Sequence, residues 1–146
     1  MEIRTATIQD LEALASIFEK YRNFYHQPAD YETAKSFLQE RITQQESVIY
    51  VAETENKIIG FTQLYPLFSS TRMKKLWLLN DLYVEEEHRQ KGISVALIDR
   101  AKELCVETGA CQLSLETSKS NVVGNNLYPK TGFQLDSETN FYYWLP

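Results

Sequence analysis

Arg89-Gln90-Lys91-Gly92-Ile93-Ser94 stands between the apolar run at residues 76–84 and an amphipathic run at residues 93–108. A strand that ends in such a loop and turns into a helix directs several unpaired backbone N–H groups, and the positive end of the helix dipole, at one point in space. That point suits a phosphate. Glycine at position 92 lets the backbone approach an anion where a Cβ would obstruct it, and Arg89 and Lys91 add positive charge around the same spot. The hexapeptide equally fits an ordinary strand-to-helix turn with exposed basic residues.

Other phosphate chemistries lack their motifs. There is no G-x-x-x-x-G-K-[ST] loop, no G-x-G-x-x-G after a strand and no kinase-like set. No Ser-His-Asp or Cys-His arrangement stands out, and the histidines, His26 and His88, lie in polar segments. Cys105 and Cys111 form neither a disulfide framework nor a zinc-spaced cluster, so they read as reduced core residues and no metal is expected. A net charge of −5 argues against a general nucleic-acid partner, which needs a broad basic surface. No apolar run approaches a membrane span, and a cytoplasmic location is expected.

The elements that position the hexapeptide follow from periodicity. At 146 residues the chain reads as one domain. A short strand at residues 2–5 precedes a helix opened by Thr7 and Asp10, with Leu11, Leu14, Phe18 and Tyr21 on one face. Asp30 opens a second helix carrying Ala34, Phe37, Leu38 and Ile42. Residues 21–28 are read as the connection between them, rich enough in rings to be either a loop pinned to the core or a wall of a binding site. Residues 48–53 and 57–65 form a hairpin, residues 69–75 a polar basic loop, and residues 76–84 the next strand. The helix after Gly92 leads to a buried strand at 112–117, which implies a parallel pair with a right-handed crossover. A short helical segment at 121–128 follows, then a strand from Gly132-Phe133 and a closing strand at Phe141-Tyr142-Tyr143-Trp144-Leu145. The expected fold is α/β (α+β): a mixed, mostly antiparallel sheet with one parallel pair and helices on both faces.

Arg89-x-x-Gly92-x-Ser94 after a strand, with Asn121-x-x-Gly124-x-x-Leu127-Tyr128-x-x-x-Gly132-Phe133 later in the chain, resembles the GNAT superfamily of acetyl-CoA-dependent N-acetyltransferases. The order of strands and helices is similar along nearly the whole chain. The resemblance implies that backbone amides of Arg89, Gln90, Lys91, Gly92, Ile93 and Ser94 hold the CoA pyrophosphate. It implies that the pantetheine arm lies like an added strand beside Leu82, Tyr83 and Val84 and takes their main-chain hydrogen bonds. It also implies that the Asn121 side chain contacts the pantetheine or its neighbouring backbone, and that the Tyr128 hydroxyl lies near the thioester sulfur as general acid. Ser94 replaces the family's Gly or Ala, and weaker or altered phosphate binding is expected there. Pro129 lacks an N–H and disfavours the helical conformation at Tyr128.

An amine must lose its proton to attack a thioester, yet at a pKa of about 10.4 only about one in a few thousand is neutral at pH 7. Asp81, next to Leu82, is the candidate base or the anchor for a cationic acceptor; an ordered water is the alternative relay, and a strand-end carboxylate satisfied by backbone or by a nearby Arg is the structural one. The oxyanion formed on attack would be held by a backbone N–H at or near Leu82 if the strand bulges there. Asn80-Asp81-Leu82-Tyr83-Val84 and Tyr21-Arg22-Asn23-Phe24-Tyr25 resemble the branch containing diamine, polyamine and small histone-type acetyltransferases, where the diamine enzymes carry Glu-Asp in place of Asn80-Asp81. On that resemblance Tyr21, Arg22, Tyr25 and Asp81 bind the acceptor, a small cationic amine or a lysine-like side chain. A non-catalytic acyl-CoA-binding module of the same fold is the alternative. The aromatic run at residues 141–145 fits a homodimer surface and fits ordinary core packing equally.

Overall fold

Ile49, Tyr50, Val51 and Ala52 are all buried, so the strand that carries them is covered on both faces. The computed structural model describes residues 1–146 and divides them into two compact units, Met1–Leu115 and Glu116–Pro146. The first unit holds β1 (Glu2–Thr5), α1 (Leu11–Phe24), α2 (Tyr31–Thr43), β2 (Val48–Thr54), β3 (Lys57–Ser69), β4 (Lys74–Val84), α3 (Ile93–Glu107) and β5 (Leu113–Ser114); the second holds α4 (Val122–Lys130). The strands form one sheet in the order β1-β2-β3-β4-β5, antiparallel except for the β4–β5 pair. This is the mixed sheet expected from sequence.

One face of the sheet receives α1 and α2, whose Leu14, Ala15, Phe18, Ala34 and Leu38 pack with Ile49, Val51 and Phe61. The alternate residues of β2 belong to the other face, where the Arg100 guanidinium of α3 lies 4.6 Å from the Tyr50 ring centre. Local chemistry sets the helix starts. Asp10 accepts from the Thr7 N–H at 2.7 Å and from Arg4, which also pairs with Glu53, so β1, β2 and the start of α1 are tied together. Asp30 Oδ1 accepts from the Thr33 N–H at 3.2 Å and starts α2.

Four local expectations need correction. Tyr21 lies in α1, as its helical stripe predicts, but the helix runs on through Arg22 to Phe24, residues read as connection, and the chain turns only at His26, whose φ is 59°. The basic loop is shorter than residues 69–75: β3 and β4 zip up to Ser69↔Lys74, leaving a tight turn closed by the Met73 N–H donating to the Ser70 carbonyl at 3.2 Å. In place of a buried strand at 112–117 there is a two-residue, half-buried β5. The strands expected at Gly132-Phe133 and at residues 141–145 do not form; those last five residues are exposed, outside any ladder. β-propensity describes side chains, whereas a strand also needs a neighbour for its N–H and C=O groups, and the sheet of this chain ends at β5.

Candidate active site

β4 is irregular where the chemistry is expected. Gln63 pairs with Asp81 and Leu64 with Leu79, so Asn80 is an extra residue that bulges from the ladder. The bulge sits just before Asp81, slightly upstream of the position anticipated at Leu82. Beyond it the sheet opens on one side: β5 pairs with β4 only at Trp77↔Leu113 and Leu78↔Ser114. The Glu85 N–H donates to the Ile59 carbonyl at 2.9 Å. Because antiparallel hydrogen bonding alternates, Tyr83 and Asp81 turn their main-chain groups towards β3, while Leu82 and Val84 direct theirs to the open edge. An extended ligand arm fits alongside them as an added strand.

Asp81 is 4% exposed. Its Oδ2 accepts from Gln63 Nε2 at 2.8 Å and its Oδ1 from Asn80 Nδ2 at 3.1 Å, while its carbonyl accepts from Thr62 Oγ1 at 2.8 Å. Gln63, itself fully buried, is oriented by Ser47, whose hydroxyl donates to Gln63 Oε1 at 2.8 Å. Burial pushes the Asp81 carboxyl above its ordinary pKa, and hydrogen bonds from Gln63, Tyr21 and Asn80 only partly oppose it. A carboxylate made more basic in this way is better suited to taking a proton near neutral pH. Nearby, burial and the Asp81 charge push the Tyr65 phenol up to about 12, so it stays protonated. Sequence reading missed Gln63, Thr62 and Ser47; alternation across β3 marks them only once the register is known.

At the end of β4 the chain makes a short turn at Glu86–His88 and enters α3 through Gly92, whose φ is +79°, a conformation that L side chains rarely adopt. No side chain caps α3. The first-turn N–H groups of Ile93, Ser94 and Val95 therefore converge without a side-chain acceptor, in the arrangement that binds anions. The basic side chains of the loop are engaged. Arg89 Nε donates to the Val84 carbonyl at 3.0 Å with its guanidinium 5.5 Å from the Tyr83 ring centre, and Lys91 Nζ donates to the Glu87 carbonyl at 3.0 Å. They brace the turn while remaining near it. Gln90, at φ 61°, is the second left-handed residue of the loop. The CoA expected from sequence fits these features: amides for its pyrophosphate and an open strand edge for its arm.

α1 reaches the same region. The Tyr21 ring packs on Phe61 and Tyr83, and its hydroxyl donates to the Asn80 carbonyl at 3.4 Å, directly on the bulge. Tyr25 packs edge-on against Tyr21 and is 42% exposed, so it can form a wall open to solvent. Arg22 is held differently, paired with Glu19 and donating to the Pro28 carbonyl at 3.1 Å, which fixes the α1–α2 connection. The first unit thus brings together Asp81, Leu82, Val84, Tyr21 and the Gly92 turn.

In the second unit, Asn121 caps α4: its Oδ1 accepts from the Gly124 N–H at 3.1 Å and its Nδ2 donates to Thr117 Oγ1 at 2.9 Å. A Cβ at Gly124 would come within 2.5 Å of Asn121 Nδ2 and 3.1 Å of the Tyr128 ring. This crowding explains the Asn-x-x-Gly-x-x-x-Tyr spacing, since glycine makes room for the cap and the ring together. α4 continues through Pro129 to Lys130, so the proline sits in the last turn without breaking it. The Tyr128 ring meets Phe133 edge-on at 5.9 Å, and the Phe133 N–H donates to the Tyr128 carbonyl at 3.0 Å.

Comparison with known proteins agrees with this geometry. The model of the acetyltransferase (GNAT) family matches residues 11–133. An uncharacterized N-acetyltransferase of Bacillus subtilis, YhfO, is 42% identical over 94% of this chain and 92% of its own length. A probable acetyltransferase of Haemophilus influenzae is 32% identical over 97% of this chain and 96% of its own. The crystal structure of a probable acetyltransferase, 40% identical, superposes with a TM-score of 0.94 and covers 100% of this chain and 97% of that one. The chain belongs to the acetyltransferase (GNAT) family and is an acetyl-CoA-dependent N-acetyltransferase.

Proposed function

We propose that the protein moves the acetyl group of acetyl-CoA to a primary amine on a small cationic metabolite or a lysine-like side chain, by direct attack on the thioester. The observation that carries this reading is the buried, basicity-raised Asp81 beside the bulge of a strand whose outer edge is open. Amides at the start of α3 hold the pyrophosphate, and Leu82 and Val84 align the pantetheine arm. Asp81 attracts the protonated amine and takes its proton, directly or through a water. Attack forms the nitrogen–carbon bond and moves an electron pair onto the thioester oxygen, where a main-chain N–H next to the bulge stabilises it. The nitrogen gives up its second proton to solvent, and collapse breaks the carbon–sulfur bond. Tyr128, assigned on its motif, protonates the departing thiolate; this step is modestly uphill, since a phenol at about 10 is the weaker acid than a thiol at about 8.5.

Tyr21 and Tyr25 supply aromatic faces suited to a cation, while the engaged Arg22 acts by fixing the connection between the helices. With acetyl-CoA as cosubstrate, the reading places the protein in the cytoplasm. The test is CoA release across a panel of diamines, amino acids, basic peptides and acidic amines. Cationic amines are expected to lead. Turnover confined to acidic amines would reverse the assigned acceptor class, and acetyl-CoA binding without turnover on any amine would favour a binding module instead.

A further inference from the structure

The hydrogen-bond chain behind Asp81 starts outside the sheet. Ser47 lies in the bend between α2 and β2, and its Oγ donates to Gln63 Oε1 at 2.8 Å, while Gln63 Nε2 donates to Asp81 Oδ2 at 2.8 Å. Gln63 and Asp81 are buried, whereas Ser47 is half-buried. The bend that presents the hydroxyl is firmly built. Gln45 takes a left-handed φ of 54°, the conformation that glycine usually supplies after a helix, and the Glu46 N–H donates back to the Arg41 carbonyl at 3.0 Å. The Glu46 carboxylate also pairs with the Arg41 guanidinium at 2.6 Å.

The two ends of a glutamine amide have nearly the same shape but opposite hydrogen-bonding character. With Oε1 turned to Asp81 Oδ2, only a protonated carboxyl satisfies the contact; with Nε2 turned there, the ionised form is favoured. We propose that Ser47 is a positioning residue for acetyl transfer: its hydroxyl holds the Gln63 amide with Nε2 towards Asp81 and so keeps the carboxyl ionised, ready to take the proton of the amine. The bonds run head to tail from hydroxyl to amide to carboxylate and end on the charge, which strengthens each of them. A neutral carboxyl draws less from the chain. Loss of the hydroxyl therefore costs the ionised form more than the protonated one. The inference rests on the reading of Asp81 as the base. The other titratable groups around Asp81 are the Tyr21 hydroxyl from α1 and the Tyr65 phenol from β3, the latter flanked by Arg41 of α2 and by Glu46. Ser47→Ala leaves all four in place.

The test follows the carboxyl and the reaction separately. In the full chain carrying isotope-labelled aspartate, the Asp81 Cγ resonance, assigned with the aid of Asp81→Asn, is followed by NMR against pH, and kcat/KM for a cationic amine is measured over the same range. Ser47→Ala is expected to move the Asp81 titration to higher pH and to lower kcat/KM on the acidic limb by about threefold to tenfold, with the plateau and the acetyl-CoA dissociation constant close to wild type. Ser47→Thr keeps the hydroxyl and should restore both. In a Gln63→Leu background Ser47→Ala should add nothing, because the amide that carries its effect is gone. Far-UV circular dichroism checks that each variant is folded. An Asp81 titration unmoved by Ser47→Ala, or moved equally with and without Gln63, would overturn the inference. A titration that moves while the acidic limb stays would leave the hold of Ser47 on the carboxyl standing and overturn the reading of Asp81 as the base.

Discussion

The Asp81 cradle, near the C-terminal end of β4, and the Gly92 turn, beyond that same end, are built by different means. The turn is backbone: a left-handed glycine, an uncapped helix start and two braced basic side chains, all within six consecutive residues. The cradle is side chains gathered from three places, Ser47 ahead of β2, Gln63 on β3 and Asp81 on β4, aligned only by sheet register. Binding made from amides tolerates many side chains. Proton chemistry tuned by burial depends on each neighbour. Substitutions in the turn should therefore change affinity for acetyl-CoA, and substitutions in the cradle should change rate and its pH dependence.

The largest expected effect separates the two regions. Asp81→Asn should lower kcat/KM for the amine by about 100-fold to 10,000-fold while leaving the acetyl-CoA dissociation constant nearly unchanged in calorimetry. It should also raise the melting temperature at neutral pH. The folded protein holds the Asp81 proton more tightly than the unfolded chain does. The stability this gives is therefore full below the ordinary carboxylate range and lost as pH rises through the raised value, and at neutral pH the buried charge is a net cost. A fall in melting temperature would show the carboxylate to be structural instead. Next, Tyr128→Phe should bind acetyl-CoA normally and lose about 100-fold in turnover, and an unchanged rate would remove the phenol from the mechanism.

Gly92→Val should do the reverse of Asp81→Asn. A β-branched residue at φ +79° forces the turn out of shape, so acetyl-CoA affinity should drop about tenfold or more with a smaller change in saturated rate. Gln63→Leu should leave affinity alone and move the acidic limb of the rate profile to higher pH, because the ionised Asp81 loses a donor. The smallest effect lies outside both regions. Asp10, held at about 2 by Arg4, should cost about 1 kcal/mol of stability on Asp10→Asn at neutral pH. The loss should shrink as pH falls from the ordinary carboxylate range through that value, with no effect on turnover.

The same contrast explains what could be read from the sequence. The Gly92 turn was legible because its function is local: residue types within one hexapeptide dictate backbone shape. Asp81 was legible as a carboxylate on the expected reaction strand, but its basicity was not, since that comes from burial of its carboxyl in the fold, partly opposed by Gln63 across a ladder whose register is set by the bulge at Asn80. Tyr21 was legible both on the helical stripe and at the start of the connection; the stripe is right, and its contact with the bulge depends on the fold. The sheet and its helices followed from periodicity through β4 and α3. Periodicity failed after β5, where the aromatic run 141–145 has strand composition but no partner within its own chain.

The most direct test of the assigned base is the pH dependence of kcat/KM for a cationic amine, measured in the wild type and in Asp81→Asn. The wild type should show an acidic limb from a single group titrating above the ordinary carboxylate range, and that limb should vanish in the variant. The same limb persisting in Asp81→Asn would contradict the role given to the buried carboxylate.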